Sequence, residues 1–189
     1  MPEHRARTDA PPETRPRVGV SLCLLGERVR YDSGHKLHAV VAGGLGCDVE
    51  WLPVCPEVEI GLGTPREPIR LERGRGGQLR LVGIETRTDL TRRMRGYARR
   101  RAGALFVDTL DGYVFKRGSP SCGLQDVPVA DAARLTEGSR LARGLFAEAV
   151  VRAAPDLPVI EEAGLDDPHL KRQFVERVLA RARLRALER

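Results

Sequence analysis

Three cysteines in this chain stand where they could do chemistry. Cys23 closes the apolar run that begins at Val18, Cys55 follows the run Val49–Val54, and Cys122 follows the short apolar stretch Tyr113–Phe115. If each run is a strand of one parallel sheet, the three carboxyl ends converge on the edge where α/β proteins bind ligands. Their separations of 32 and 67 residues match no local zinc-finger or ferredoxin spacing, so only the fold could join them. Prolines and glycines around two of them, in Pro53-Val54-Cys55-Pro56-Glu57 and Ser119-Pro120-Ser121-Cys122-Gly123, fix the backbone and leave amide N–H groups free to bond sulfur or an anion. Three thiolates suit either an iron–sulfur cluster with one open iron or a catalytic zinc with one open position. The plainer reading is three unrelated buried cysteines, since free Cys is among the most buried residue types. Cys47 has no comparable setting and reads as structural.

Polar residues near these cysteines complete a candidate site. Glu57 lies two residues after Cys55, and Ser119 lies three before Cys122. A carboxylate beside a metal can activate water, and a nearby hydroxyl can position a substrate. Ser121, next to Cys122, is placed on the substrate side. The loop after Cys23 supplies Arg30, Tyr31, Asp32, His35 and Lys36, a set able to hold a polar ring by stacking and hydrogen bonds, although an ordinary solvated loop uses the same residue types. His4, His38 and His169 stand alone and read as surface residues.

The elements that would position these residues follow from the apolar pattern. Short, nearly continuous runs from Val18 and over Val49–Val54, with Tyr113–Phe115 and Leu157–Ile160, read as strands covered on both faces. Pro68–Leu71 and Gln78–Ile84 alternate around the turn Arg73–Gly77 and predict a hairpin or flap. Helices are expected over Thr88–Ala102, which leads to Leu105–Phe106, over Ser139–Ala153, and over Asp167–Leu187. The last would be capped by Asp166 or Asp167, carry Pro168 in its first turn, and bury Leu170, Phe174, Val178 and Leu179. Strands alternating with helices predict an α/β fold with a mainly parallel, Rossmann-like sheet flanked by helices and ending in a long amphipathic helix. Residues 1–16, polar and carrying four prolines, are expected to be a disordered tail; 17–161 form the α/β domain and 162–189 a helical extension.

Composition narrows the function classes. The 189 residues, 41% hydrophobic, suffice for one medium domain, and no apolar run approaches the roughly 20 residues of a membrane span. Residues 1–17 lack the apolar middle of a secretory signal, and four cysteines are too few for a disulfide scaffold, so a soluble, cytoplasmic protein is expected. The net charge of +6 comes largely from arginine, seven of them over Arg87–Arg101. That segment could touch phosphate, but its single aromatic, Tyr97, offers little for stacking on single-stranded RNA. A non-catalytic RNA-binding or RNA-modification accessory module with structural cysteines, or a zinc hydrolase, are the rival readings.

The blocks SLCLLGERVRYDSGHK, PVCPEVEIGLGTPREPI and FKRGSPSCG, in this order, resemble the three signatures of the thiouracil desulfurase family, and the likeness spans roughly Arg17–Ile160. The resemblance implies a 4Fe-4S cluster held by Cys23, Cys55 and Cys122 with one open iron. It implies non-redox conversion of C=S to C=O in a thiolated pyrimidine, with Glu57 activating water and Ser119 assisting. Ser33 stands where the family usually has a second glycine, and Leu124–Val127 lacks the Tyr-Asp-Gly segment that often follows the last Cys-Gly. The stretch from Leu145 to Phe174 is similar to longer relatives that carry a further helical domain and act on 4-thiouridine in transfer RNA. By that likeness the chain is expected to be a shortened form of that branch, with thiouracil, a 4-thiouridine nucleotide or transfer RNA as its partner.

Overall fold

The computed structural model describes residues 15–74, 76–103, 109–131 and 140–188. Residues 1–14 of the expected tail, Leu105–Phe106 and Ser139 lie outside the described residues. Along the chain come β1 (Arg17–Ser21), a one-turn α1 (Ala39–Ala42), β2 (Glu50–Val54), α2 (Pro56–Glu59), β3 (Ile69–Arg73) and β4 (Leu79–Gly83). There follow α3 (Thr91–Arg101), β5 (Gly112–Phe115), β6 (Val127–Asp131), β7 (Arg140–Ala142), α4 (Leu145–Ala153), β8 (Val159–Glu161) and α5 (Pro168–Leu187). Strands β2-β1-β5-β8 form a wholly parallel sheet, in register Ser21↔Val54, Val20↔Val114 and Phe115↔Glu161. The expected α/β class, with its parallel sheet, flanking helices and long C-terminal helix, is the observed one.

Both faces of this sheet are covered, which explains why its strands are apolar at successive positions. Val18, Val20 and Val114 face a core shared with Val41, Leu45, Phe174 and Val178. Tyr113 and Phe115 point the other way, into a core with Met94, Tyr97, Phe146, Leu71 and Leu81. Their rings stack with centroids 4.1 Å apart, and Phe146 meets both edge-on. Gly19 pairs with Tyr113, and a Cβ on it would lie 2.2 Å from that ring. We expect Gly19→Ala to cost about 1–3 kcal/mol, as overpacking does. A lower urea midpoint with an unchanged slope would show it; a wild-type midpoint would mean that Tyr113 yields without cost.

The hairpin of β3 and β4 is present, but it is more than a flap. It belongs to a second sheet, β4-β3-β6-β7, whose Leu71, Leu81, Val127 and Val129 close the Tyr113 core. β6 and β7 are unforeseen in the sequence reading. The helix expected from Ser139 begins instead at Leu145, with Gly144 as N-cap, because Leu141 and Ala142 pair with Pro128 and Val127. Helix α5 is capped by the Asp167 carboxylate, which accepts from the His169 and Leu170 amides. Its buried stripe is Phe174, Val178 and Ala182, while Leu170 is exposed. Arg185 anchors its far end on buried Asp111, at 2.8 and 3.0 Å, and Asp111 also accepts from the Arg17 amide at 2.7 Å. Among the described residues no helix is long and apolar enough to cross a membrane.

Candidate active site

Three of the four strands of the parallel sheet, β1, β2 and β5, end at one cavity of about 400 Å³, and each end delivers polar residues to it. Beyond β1, Cys23 sits in a 3-10 turn, Leu22–Leu25, closed by Gly26 at φ 94, a left-handed conformation that suits glycine. The Cys23 carbonyl accepts from the Gly26 and Lys36 amides at 3.3 and 2.9 Å, which folds the intervening loop back toward the cavity. Beyond β2, Cys55 is the N-cap of α2, Pro56 opens that turn, and Glu57 follows in it. Beyond β5, the Ser119 hydroxyl oxygen accepts from the Ser121 and Cys122 amides at 3.2 and 3.0 Å, and so shapes the turn that presents Cys122. Cys23, Cys55 and Cys122 all line the cavity, together with Glu57 and Ser119. Cys47 packs against the Val18 core instead.

Burial pushes the Cys23 thiol up to about 11, with the neighbouring Cys55 adding to the effect. Burial likewise raises Cys55, and raises Cys122 well above the ordinary thiol range, with Glu57, Cys55 and Cys23 contributing. Each is free of disulfide bonding. One buried and two half-buried thiols, each disfavoured as a thiolate, are a donor set that a cationic, sulfur-seeking group would stabilise. Among the described residues no three His, Cys, Asp or Glu side chains converge tightly enough to hold a single metal ion. The thiolates of an iron–sulfur cluster sit on different irons and need not meet at one centre. The donor set thus fits a cluster.

Arg66 is the prominent residue that the sequence reading passes over. Its Nε and Nη2 donate to Glu57 Oε2 at 3.0 and 2.6 Å, and Nη2 also donates to the Val29 carbonyl at 2.9 Å. No local signal marks it, because an arginine in the glycine- and proline-rich loop Gly61–Pro68 reads as an ordinary solvated side chain. Lys116 also lines the cavity, gripped at Nζ by Glu162 Oε1. Glu162 Oε2 accepts from the Arg117 amide at 2.6 Å, and Glu161 Oε1 accepts from the Leu124 amide at 2.8 Å. Two adjacent carboxylates at the end of β8 therefore grip both ends of the Cys122 loop, although the sequence reading set them on either side of a domain boundary.

Of the expected substrate-side residues, Arg30, Tyr31 and Lys36 line the cavity. Asp32, His35 and Ser121 do not. Asp32 turns to the Gly34 amide at 3.0 Å and to Arg30 at 3.6 Å, and His35 Nδ1 accepts from the Leu37 amide at 3.1 Å. Ser121 is fully buried, and its carbonyl accepts from the Phe146 and Ala147 amides, tying the Cys122 turn to α4. Ser33 takes φ 56, a left-handed conformation that glycine adopts more readily. His38 is not a plain surface residue: its side chain is only 15% exposed and pairs with Asp166 at 3.3 Å.

A parallel α/β sheet with three thiols and a carboxylate at its carboxyl edge has the donor chemistry of a metal-dependent class of site. The chain belongs to the 2-thiouracil desulfurase family, a family of enzymes, whose model matches residues 18–162 and so ends on the carboxylate that holds Lys116. Among solved structures it is similar to a 4Fe-4S-dependent thiouracil desulfidase, TudS, with a TM-score of 0.63 and 28% identity, over 86% of this chain and 99% of that one. No curated protein matches the chain.

Proposed function

We propose that this protein is a 4Fe-4S-dependent desulfidase that converts C=S to C=O in a thiolated pyrimidine, whether thiouracil, a 4-thiouridine nucleotide or 4-thiouridine in transfer RNA. The observation that carries the reading is the meeting of Cys23, Cys55, Cys122 and Glu57 in one cavity from three strand ends. The three cysteines would hold the cluster, and because Cys47 does not line the cavity one iron would be left without a cysteine ligand. When bound, that cluster supplies a Lewis-acidic iron able to polarise and accept the thiocarbonyl sulfur.

The chain's own residues do the rest. Both Arg66 donors fall on Glu57 Oε2, and among the described residues no hydrogen bond reaches Oε1, which is placed to take a proton from water. The Ser119 oxygen already accepts two amide protons, so its own hydroxyl proton is available to donate to a ring atom. Arg30, Tyr31 and Lys36 offer cations and an aromatic face to the pyrimidine, with the Arg30 guanidinium 5.4 Å from the Tyr31 ring centre. The water oxygen becomes the new carbonyl oxygen and sulfur leaves as sulfide, with no net change in oxidation state. Free thiols at all four cysteines suit the reducing cytoplasm.

Anaerobic purification or reconstitution tests the reading. The protein should turn brown and carry about four irons and four labile sulfides per chain, as a cubane requires. It should then release sulfide from 2-thiouracil, 4-thiouracil, 4-thiouridine monophosphate or thiolated transfer RNA. A colourless reconstituted protein, or a full cluster with no sulfide from any of the four, overturns it.

A further inference from the structure

We propose that Arg66 is a positioning residue that holds the Glu57 carboxylate and the Val29–Tyr31 segment to each other, so that the base and the substrate-binding residues Arg30 and Tyr31 form one rigid unit. This rests on the desulfidase reading of the site.

The guanidinium is nearly enclosed, with 6% of its side chain exposed against 14% for Glu57. Every bond it makes joins segments that are remote in sequence or irregular. Nε and Nη2 converge on Glu57 Oε2, Nη2 reaches back to the Val29 carbonyl, and Nη1 donates to the Gly63 carbonyl at 2.6 Å. Its own backbone amide donates to the Tyr31 carbonyl at 3.0 Å. The Val29 carbonyl is shared with the Cys55 thiol at 3.9 Å. One side chain thus ties the loop beyond β1 to the turn beyond β2.

Arginine is suited to this by chemistry. Its five N–H donors lie in a rigid plane and serve several acceptors at once, whereas lysine offers one nitrogen on a flexible stem. An arginine present only to neutralise Glu57 would commonly span both carboxylate oxygens as a fork. Here both donors fall on one oxygen, so Oε1 is left for the proton while the plane of the carboxylate stays fixed. Misplacement of a catalytic group by about 1 Å can cost about 100-fold in rate.

The test compares wild type with Arg66→Lys, Glu57→Gln and the double variant, all loaded to equal iron content and assayed on whichever of the four thiolated substrates wild type desulfurises. Arg66→Lys keeps a positive charge beside Glu57 and guards against simple unfolding. We expect it to lower kcat about 100-fold and to raise KM, because the loop loses its anchor. In the Glu57→Gln background the kcat loss should vanish in single-turnover measurements, while the rise in KM persists. In cofactor-free protein, backbone amides of residues 29–31 should exchange hydrogen faster in Arg66→Lys, with β1 unchanged. An unchanged kcat in Arg66→Lys, equal kcat losses in both backgrounds, or unaltered exchange at residues 29–31 overturns the assignment. If fully loaded wild type releases no sulfide from any of the four substrates, the desulfidase reading fails, and the exchange measurement alone decides whether Arg66 holds the loop.

Discussion

Replacement of Cys23, Cys55 or Cys122 by alanine is expected to abolish iron binding and sulfide release together, while Cys47→Ala keeps both. The three thiols sit at the carboxyl ends of β1, β2 and β5, each on a separately fixed turn, so no neighbouring cysteine can move in to replace a lost one. With only two thiol anchors left, the proposed cluster should be lost outright, not weakened by degrees. Cys47 lies against the Val18 core, away from the cavity. The loss should be specific to the cofactor. Cofactor-free Cys23→Ala and Cys55→Ala should unfold near the wild-type midpoint, because each thiol is only partly buried and holds no disulfide. Iron content, visible absorption and unfolding measured on the same preparations separate these effects. Equal iron loss in Cys47→Ala would remove the assignment of ligands.

Glu57→Gln is expected to retain the cluster and lose turnover by about 10²- to 10⁴-fold, the usual contribution of a general base. The amide is nearly isosteric, and its oxygen can still accept from Arg66, so the packing of the turn after Cys55 should persist. What disappears is the ability to take a proton from water. The measurement is single-turnover sulfide release at matched iron content. A wild-type rate would assign the base to another group lining the cavity.

Much of this site was legible because of where strands end. The runs from Val18 and over Val49–Val54 are apolar at successive positions because both sheet faces are covered, and the cysteines following them mark the carboxyl edge. The end of α4 and the Asp167-Pro168 start of α5 were legible for a local reason, since capping chemistry is written in adjacent residues. Strands β6 and β7 were not. Val127-Pro128-Val129 is short and carries a proline, and its partners β3 and β7 come from distant or irregular parts of the chain. Arg140–Ala142 continues the apolar spacing of the helix after it, and only pairing with β6 makes it a strand.

The sequence by itself determined the α/β class, the three thiols with their carboxylate, and the family, because these reside in short ordered blocks and in apolar runs whose periodicity is local. Tertiary structure alone decided which side chains enter the cavity. Arg66 finds Val29 from 37 residues away and Lys116 finds Glu162 from 46, and no spacing rule announces a side chain that crosses between loops. Conversely, Asp32, His35 and Ser121 have suitable chemistry but are turned away by a loop hydrogen bond, a neighbouring amide and the start of α4. Residue type sets what a side chain can do, whereas its direction depends on backbone angles in turns that are stabilised only once the strand ends have come together.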